Sequence, residues 1–382
     1  MPHDNSVFHS MLKLVPWDAF DAAVEQHATR VRARGFSDKS HLVAMLYTQF
    51  AGASSLREIE AGLHSHAGRL YHLGARPPRR SSLADANRDR PVAVFSDLLA
   101  ATIRRAHRGL RRAMDGAVYL IDSTSVTLTA RSADWARFSD QVCGVKTHVI
   151  YDDAADCPIY AVVSLANVND ITAAKAMPIV QGATYVFDLG YYDYGWWAAL
   201  VAAECRIVTR LKRNTKLTVI RTQPVAADGP ILSDRIGTLP ARQAANRRNP
   251  FQAEVREVQV RIETGKVLRI LTNDLKASAQ EIADLYKRRW GIELFFRWIK
   301  QTLKITRFLG TSDNAVRSQI AVALIAFLLL RMAQKLQTAI RSPLAFARLV
   351  KANLMHLRRL DQLDQSRSKA VEGLDQAVLC LM

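Results

Sequence analysis

The stretch from 286 to 300, YKRRWGIELFFRWIK, constrains this chain more than any other segment. It has no proline and one glycine, and apolar residues recur in and around it at intervals of three, four and seven, which predicts one amphipathic helix. At about 100° per residue, one face of that helix carries a row of polar side chains. The row is Tyr286, Arg289, Glu293, Arg297, Lys300 and Lys304. A single carboxylate therefore lies among cations.

Two interpretations of this row are open from the residues alone. Arg289 and Glu293 are four residues apart, as are Glu293 and Arg297, and each such pair stabilises an ordinary solvent-exposed helix by roughly a few tenths of a kcal/mol. The alternative is a site for phosphodiester chemistry. There the carboxylate would bind Mg²⁺, and the cations would bind the phosphates on either side of the reacting one.

Composition favours a folded protein with a polyanionic partner. The chain has 382 residues, a length typical of roughly two or three domains, and 49% of them are apolar. Lys and Arg outnumber Asp and Glu by 53 to 35, and the net charge of +18 favours nucleic acid as the partner. The longest apolar run, Ile320 to Leu330, has eleven residues against the roughly 20 that a bilayer requires. We expect a buried helix there and no membrane partner.

Residues 1–112 are expected to form a helical, DNA-binding region. The run from Ser40 to Phe50 has helical periodicity, Gly52 interrupts it, and one of the two serines that follow can cap a second helix with Glu58 in its first turn. This is the outline of a helix-turn-helix. An ordinary helical hairpin fits the same residues equally well.

A turn-rich loop is expected next, over the segment ARPPRRSSLADANRDRP. Arg79 and Arg80 lie in it beside two serines, a composition suited to phosphate contacts in DNA. A solvated linker without a ligand is the alternative, and the residues alone do not decide between the two.

Strand-like runs begin at Ala117, and residues 113–212 are predicted to form the first part of an α/β core. The predicted order is strand, hairpin, helix, strand, helix, strand, which is that of an RNase H-like domain with a partly parallel sheet. Asp122 is placed at the end of the first strand and Asp188 at the end of the fourth. Because the carboxyl ends of neighbouring strands meet at one edge of such a sheet, the two carboxylates can share a metal pair. Taken singly, either aspartate is more often a turn former or a helix cap.

Alternating, β-rich sequence fills residues 213–275 and predicts an antiparallel insertion before the central helix. The core is expected to resume over 276–340 with the central helix and a long buried helix capped by Ser312. Residues 341–382 are expected to form a C-terminal helical segment. The fold class predicted is therefore α/β, with an all-α region before the core and helices after it.

Several of these segments resemble, in family order, the IS4-type DDE transposases. The central stretch has that family's pattern Tyr-x2-Arg-x3-Glu-x6-Lys, and four fixed residue types at fixed intervals rarely match by chance. The other segments that carry the resemblance are SLREIEAGL, HLGARPPRRSSLADANRDRP, LIDSTSV, VFDLGYYDYGWW and IELFFRWIKQTLKITRFLGT. Together they span most of the chain.

The resemblance implies a transposase of an insertion sequence with a DDE triad on Asp122, Asp188 and Glu293, which would be both the catalytic residues and the metal ligands. Asp193, five residues after Asp188, is the alternative for the second position. The family's mechanism uses two Mg²⁺ ions, for which Mn²⁺ can substitute. They would activate water for strand cleavage and then the freed 3′-hydroxyl for strand transfer.

The resemblance also implies double-stranded DNA as the partner, in the form of terminal inverted repeats and target DNA. Tyr286, Arg289 and Lys300 would contact phosphates near the cleaved end, and the helix face adds Arg297 and Lys304. A homodimer on DNA is expected because two element ends must be cut and joined together. A protein of this kind is expected in the bacterial cytoplasm, associated with the nucleoid.

Two other functions fit parts of the same sequence. An RNase H-like DNA nuclease without strand transfer would share the three carboxylates. A catalytically silent DNA-binding regulator would share the helix-turn-helix outline and the positive charge. Replacing Glu293 by Gln separates these classes, because an enzyme would lose cleavage and keep DNA binding, whereas a regulator would lose nothing.

Overall fold

The computed structural model describes residues 5–27, 35–110, 116–139, 142–244, 247–303 and 307–365. Over these ranges the protein is a mixed α/β structure with a helical N-terminal region. The helices are α1 (Val7–Leu12), α2 (Trp17–His27), α3 (Asp38–Ala51), α4 (Leu56–His64), α5 (Ala67–Tyr71), α6 (Arg80–Asp89), α7 (Val92–Leu110), α8 (Ala133–Ala136), α9 (Asp170–Lys175), α10 (Tyr194–Ala202), α11 (Ala279–Arg288), α12 (Trp290–Thr302), α13 (Asp313–Lys335) and α14 (Pro343–Asn353). The strands are β1 (Val118–Leu128), β2 (Cys143–Asp152), β3 (Cys157–Leu165), β4 (Thr184–Val186), β5 (Arg206–Arg210), β6 (Thr218–Gln223), β7 (Ile231–Thr238), β8 (Arg242–Ala244), β9 (Arg247–Arg248), β10 (Val255–Arg261) and β11 (Val267–Thr272).

The chain divides into two compact units. The described parts of Met1–Thr102 and Ser318–Met382 form the first unit, which is built from helices. Ile103–Arg317 forms the second unit, which contains the sheet.

In the first unit, α3 and α4 begin and end where the sequence predicts. Gly52 closes α3 in the left-handed conformation, with φ of 67°, a backbone state that glycine adopts without strain. The hydroxyl of Ser55 caps α4 by accepting from the backbone N–H of Glu58. The Glu58 carboxylate in turn accepts from the backbone N–H and hydroxyl of Ser54. The predicted helix, break and cap are confirmed, and both caps act through backbone groups that the helices leave free.

Residues 80–89 form α6, so the predicted turn-rich loop is wrong over that range. Leu83 and Ala86 are buried on one face of the helix, three residues apart. Asn87 is buried beside them, and its side-chain oxygen is 2.8 Å from Nε2 of His41 in α3. The arginines and serines dominate the composition of this segment, but the buried positions have helical spacing and no proline interrupts them.

The buried helix predicted around 320–330 is confirmed as α13, which has 23 residues. Ser312 precedes it, and its hydroxyl accepts from the backbone N–H of Ala315 at 3.2 Å, as expected of a cap. By length and composition alone α13 could cross a membrane, but 83% of its most apolar window is buried inside the protein. That burial is typical of a core helix.

A nine-stranded sheet forms the centre of the second unit, in the order β3-β2-β1-β4-β5-β11-β10-β7-β6. The first three strands are antiparallel, whereas β4 is parallel to both β1 and β5. The chain order predicted for this part, strand, hairpin, helix, strand, helix, strand, is confirmed. The remaining strands of the sheet come from the β-rich segment and pair antiparallel with β5 and with one another.

A cluster of buried aromatic side chains holds the end of β4 in place. Phe187 follows β4 and is fully buried, and its ring lies 4.9 Å from that of Trp196 in α10. Trp197 is fully buried beside it. Large aromatic side chains contribute more burial than any other type, so this cluster anchors the strand end firmly. The next residue, Asp188, therefore leaves the core at a defined position.

A buried ion network holds the β-rich strands together. Glu257 of β10 is fully buried and accepts hydrogen bonds from Arg235 of β7 and Arg269 of β11. Arg269 also donates to the backbone carbonyls of Lys212 and Thr215, which ties down the loop after β5. Burial alone would raise the pKa of Glu257, but the hydrogen bond and charge of Arg269 and the charge of Arg235 outweigh it, and the pKa is lowered.

We expect Glu257→Gln to lower the free energy of unfolding by about 3 kcal/mol at neutral pH, because it leaves two cations without their shared anion. The folded-state pKa of Glu257 lies below the ordinary value of 4.5, so its contribution is present above pH 4.5 and is lost as the pH falls through the folded pKa. Urea denaturation at about pH 7 and about pH 4 should show a smaller acid effect in the variant than in the wild type.

The matched control is Glu254→Gln, which removes a more exposed ion pair with Arg221 at 3.5 Å and should change stability little. Equal losses in the two variants would contradict the assignment of this stability to the buried network.

Candidate active site

Asp122 and Asp188 lie side by side because of the parallel pairing between β1 and β4. Leu120 and Val186 form the last pair of that parallel ladder. Asp122 lies two residues after Leu120, and Asp188 lies two residues after Val186. Side chains two residues apart in extended chain point to the same face, so both carboxylates project on the same side of the sheet. The expectation that Asp122 ends its strand is wrong, since β1 continues to Leu128 by pairing with β2.

The two candidate aspartates after β4 have different local roles. Asp188 begins a 3-10 turn, and its Oδ1 accepts from the backbone N–H of Gly190 at 2.8 Å. Asp193 instead caps α10, where its Oδ1 accepts from the backbone N–H of Trp196 at 2.8 Å, and it binds Lys175 at 2.8 Å. Asp193 is thus used by a helix cap and an ion pair, which favours Asp188 at the site.

The predicted single helix over 286–300 is wrong, because α11 ends before Arg289 and α12 begins after it. The backbone N–H of Arg289 donates to the carbonyl of Tyr286, and its carbonyl accepts from the N–H of Ile292, both at 3.2 Å. These three-residue bonds form a tighter turn than those of an α-helix.

Gly291 brings α12 close to the central strand. A Cβ atom placed on Gly291 would lie 3.4 Å from the Cδ1 of Leu120, so the helix backbone itself approaches β1 there. Glu293 is two residues further along α12, and Asp122 is two residues beyond Leu120. The approach of α12 to β1 thus brings the two segments together, and Glu293 is close enough to Asp122 for its charge to raise the pKa of that aspartate.

Arg289 joins the two carboxylates. Its Nη1 is 3.3 Å from Oδ2 of Asp122, and its Nη2 donates to Oε1 of Glu293. The guanidinium also lies 5.9 Å from the centroid of the Tyr286 ring, within the range of a cation–π contact. Only 16% of the Arg289 side chain is exposed, so these charges interact with little screening by water.

The pKa of Asp122 is affected by the charges of the other two carboxylates. The pKa of Asp122 is raised to about 6, first by burial and further by the negative charges of Asp188 and Glu293. The backbone N–H of Ser123 and the charge of Arg289 act in the opposite direction. Three acidic side chains from distant parts of the sequence thus interact in one place.

The other predicted DNA contacts are less closely tied to this cluster. Lys300 is half-buried, and burial lowers its pKa, whereas Arg297 is exposed. Lys304 lies outside the residues that the structure describes. Arg79 and Arg80 belong to the first unit, where both are exposed at the start of α6.

Two residues near the carboxylates were missed by the sequence analysis. Arg210 ends β5, and its charge, like that of Arg289, acts to lower the pKa of Tyr286, which burial raises. Asp170 begins α9 and accepts a hydrogen bond from Ser123. An arginine at a strand end and an aspartate at a helix start are both common in proteins, so only the topology singles them out.

The comparisons with known proteins show the family of this chain. The sequence profile of the family described as "Transposase DDE domain" matches residues 114–329, which is more than half of the chain and includes all three carboxylates. This chain belongs to the DDE transposase family. A second profile, described as a "Domain of unknown function (DUF4372)", matches residues 3–76 of the transposase.

Two similar proteins are also described as transposases. "Putative transposase y4zB" of Sinorhizobium fredii is 43% identical over 289 residues, 74% of this chain and 80% of that protein. "Probable transposase for insertion sequence element IS5377" of Geobacillus stearothermophilus is 30% identical over 270 residues, 69% of each chain. A solved piggyBac transposase synaptic complex with hairpin DNA matches at 11% identity and a TM-score of 0.46, covering 92% of this chain and 80% of that one. The family profile and the two relatives show a DNA-acting enzyme of insertion-sequence type, and they favour this function over the nuclease and regulator alternatives.

The DDE transposase family implies divalent metal ions, and the chemical type of the donors here suits such ions. Carboxylate oxygens are the ligands that hard divalent cations prefer, and Asp122, Asp188 and Glu293 each carry one carboxylate near this side of the sheet. Among the described residues, no three acidic, histidine or cysteine side chains stand close enough together to hold an ion. Arg289 lies between two of the three carboxylates instead. We expect its guanidinium to move when an ion binds.

Proposed function

We propose that this transposase binds the terminal inverted repeats of its element and moves it by cut-and-paste transposition, with Asp122, Asp188 and Glu293 as the catalytic triad. The observation that carries the proposal is the proximity of these three carboxylates: Arg289 contacts Asp122 and Glu293, and the charges of Asp188 and Glu293 both raise the pKa of Asp122. They come from β1, the end of β4 and α12, which are separated by more than 60 residues in each case.

An RNase H-like core is part of the proposal. The strand order β3-β2-β1-β4-β5, with three antiparallel strands followed by two parallel ones, supports it. We assign residues 113–212 and 276–340 to this core and 213–275 to an insertion that lengthens its sheet. Residues 1–112 would be the DNA-binding region and 341–382 the C-terminal helical segment.

Mg²⁺ is proposed as the physiological ion, with Mn²⁺ as a substitute and two ions per site. The three carboxylates would hold them. When bound, such ions polarise the phosphodiester and lower the pKa of an attacking hydroxyl or water. Asp122 must be ionised to serve as a ligand, so its pKa of about 6 predicts weaker metal binding as the pH falls through 6.

Cationic side chains of the same helices would hold the DNA. Arg289 and Lys300 would bind phosphates next to the reacting one, and the hydroxyl of Tyr286 would donate to a phosphate oxygen. Exposed Arg297 would extend this contact along the backbone of the DNA. Arg79 and Arg80 would bind phosphates elsewhere on the repeat through the first unit. The active form would be a homodimer on DNA, acting at the nucleoid in the bacterial cytoplasm.

Cleavage of a labelled duplex that carries the element's own terminal repeats tests this function. We expect the wild-type protein to cut at the repeat end with Mg²⁺, to be inactive with EDTA, and to form joined products with added target DNA. Asp188→Asn should lose cutting and keep DNA binding, because a neutral amide is a poor ligand for a hard cation.

Asp193→Asn is the matched control, since asparagine still caps a helix and the residue lies outside the proposed triad. Its cutting should persist. Cutting without joined products under all conditions would replace transposition by simple nuclease action. Binding without cutting, with any divalent metal, would favour a regulator or an inactive copy.

A further inference from the structure

Asp170, at the first position of α9, contacts two neighbouring strands of the second unit, β1 and β2, through one carboxylate oxygen. Its Oδ1 accepts from the hydroxyl of Ser123 in β1 at 2.7 Å and forms an ion pair with Nζ of Lys146 in β2 at 3.1 Å. Nδ1 of His148, also in β2, lies 3.6 Å from the same oxygen. An acidic residue that only stabilised the N-terminus of α9 through its charge would require none of these contacts.

The register of the sheet places these groups together. Ser123 is opposite His148 in the β1–β2 ladder, and Lys146 lies two residues before His148 in β2. Alternation along β1 puts Ser123 on the face opposite to Asp122. His148 is fully buried, and its pKa is lowered to about 4, chiefly by burial, so Lys146 supplies the positive charge of this cluster at neutral pH.

The second oxygen of Asp170 faces the turn that begins at Asp188. A Cβ atom placed on Gly190 would lie 3.1 Å from Oδ2 of Asp170 and 3.0 Å from Oδ1 of Asp188. Gly190 thus packs tightly between the two carboxylates. Its backbone N–H is also the donor that orients the Asp188 carboxylate. The position of Gly190 therefore sets the direction of Asp188.

We propose that Asp170 is a positioning residue that fixes the Gly190 turn and, through it, the direction in which Asp188 presents its carboxylate to a metal ion. This inference rests on the assignment of Asp188 to the triad. Oδ1 ties Asp170 to β1 and β2, and Oδ2 supports the turn from the face of the sheet opposite to Glu293. Without this support the turn can move, and the Asp188 carboxylate moves with it.

Direct metal binding tests the proposal without a catalytic readout. Full-length protein is added to Mn²⁺ in the absence of DNA, and the concentration of free Mn²⁺ is measured by its electron paramagnetic resonance signal. We expect Asp170→Ala to weaken Mn²⁺ binding by about 10–100-fold, the usual effect of removing a group that orients a metal ligand. Asp170→Asn keeps an oxygen acceptor for Ser123 and the same shape, so its affinity should lie closer to that of the wild type.

Ser164→Ala is the matched control. Ser164 binds Nε2 of His148 at 2.8 Å, on the far side of the same cluster, and does not contact Asp170. Its loss should leave Mn²⁺ binding unchanged. Weakening as large as that of Asp170→Ala would show that general loosening of β2 and β3 is responsible, and would overturn the proposal.

Gly190→Ala gives a second route that does not depend on the stability of Asp170 variants. The added methyl group would press on both carboxylates, so Mn²⁺ binding should weaken although Asp170 is intact. In the double variant, Asp170→Ala leaves space for the methyl group, so the two effects should be less than additive. Full additivity would mean that Asp170 and the turn act independently, which contradicts the proposal.

The outcomes also separate this inference from the proposed function. If the wild type binds Mn²⁺, Asp188→Asn abolishes binding and Asp170→Ala binds normally, the inference fails and the triad stands. If Asp188→Asn binds Mn²⁺ as tightly as the wild type, the triad assignment itself fails.

Discussion

Glu293→Gln is expected to abolish strand cleavage by the transposase while DNA binding persists. The amide has the shape of the carboxylate but lacks its charge, so it cannot share a divalent ion with Asp122. We expect a loss in cleavage rate on the order of 10³-fold, comparable to the removal of a principal electrostatic group from an active site. Gel-based cleavage of the repeat duplex measures the rate, and a mobility-shift assay on the same duplex measures binding.

Glu281→Gln is the control for this experiment. Glu281 lies on α11, in the same helical segment, but its half-exposed side chain pairs with Arg206 instead of a triad residue. We expect near wild-type cleavage from it. Cleavage by Glu293→Gln at the wild-type rate would remove this glutamate from the triad, and a parallel loss of DNA binding would indicate a structural effect.

Much of this site could be predicted from the sequence because its parts have local signatures. The interval between Arg289 and Glu293 places them one helical turn apart, and the contact between them survives the break in the helix. Asp188 follows a short apolar strand, and the structure has it at the end of β4. The order of strands and helices along the chain could also be predicted, because strand-like and helical runs alternate clearly between 117 and 210.

Other features depend on contacts between distant segments, which periodicity does not report. The length of β1 beyond Asp122 comes from its pairing with β2, and the break at Arg289 accompanies the close approach of Gly291 to Leu120. Asp170 looks like an ordinary helix start in the sequence. It is placed beside the turn at Gly190 by its contacts with Ser123 and His148, which lie opposite each other in β1 and β2.

The placement of Arg289 connects the metal and the DNA. One guanidinium contacts both Asp122 and Glu293, so in the absence of an ion it partly neutralises the carboxylates that an ion would use. If the proposed triad binds a divalent cation, we expect an arginine in this position to compete with it. It is also free to bind a phosphate once the cation has displaced it, which would couple metal binding to DNA binding.

Replacing Arg289 by Gln should therefore change metal binding and cleavage in opposite directions. A unit charge about 6 Å from a divalent ion repels it by roughly 1.4 kcal/mol even at a dielectric constant of about 80, so its removal should tighten Mn²⁺ binding by about tenfold without DNA. Cleavage should fall by about 10²–10³-fold, because the phosphate beside the reaction centre loses its charged donor. Paramagnetic resonance titration measures the first effect and duplex cleavage the second.

Arg288→Gln is the matched control, since Arg288 is the preceding residue, is half-exposed, and pairs with Asp153 at 3.5 Å outside the triad. It should change neither quantity much. A variant that merely loosened the fold would lose metal affinity and cleavage together, so opposite signs cannot arise from misfolding. If Arg289→Gln bound Mn²⁺ more weakly than the wild type, the arginine would be a support for the carboxylates and not a competitor of the ion.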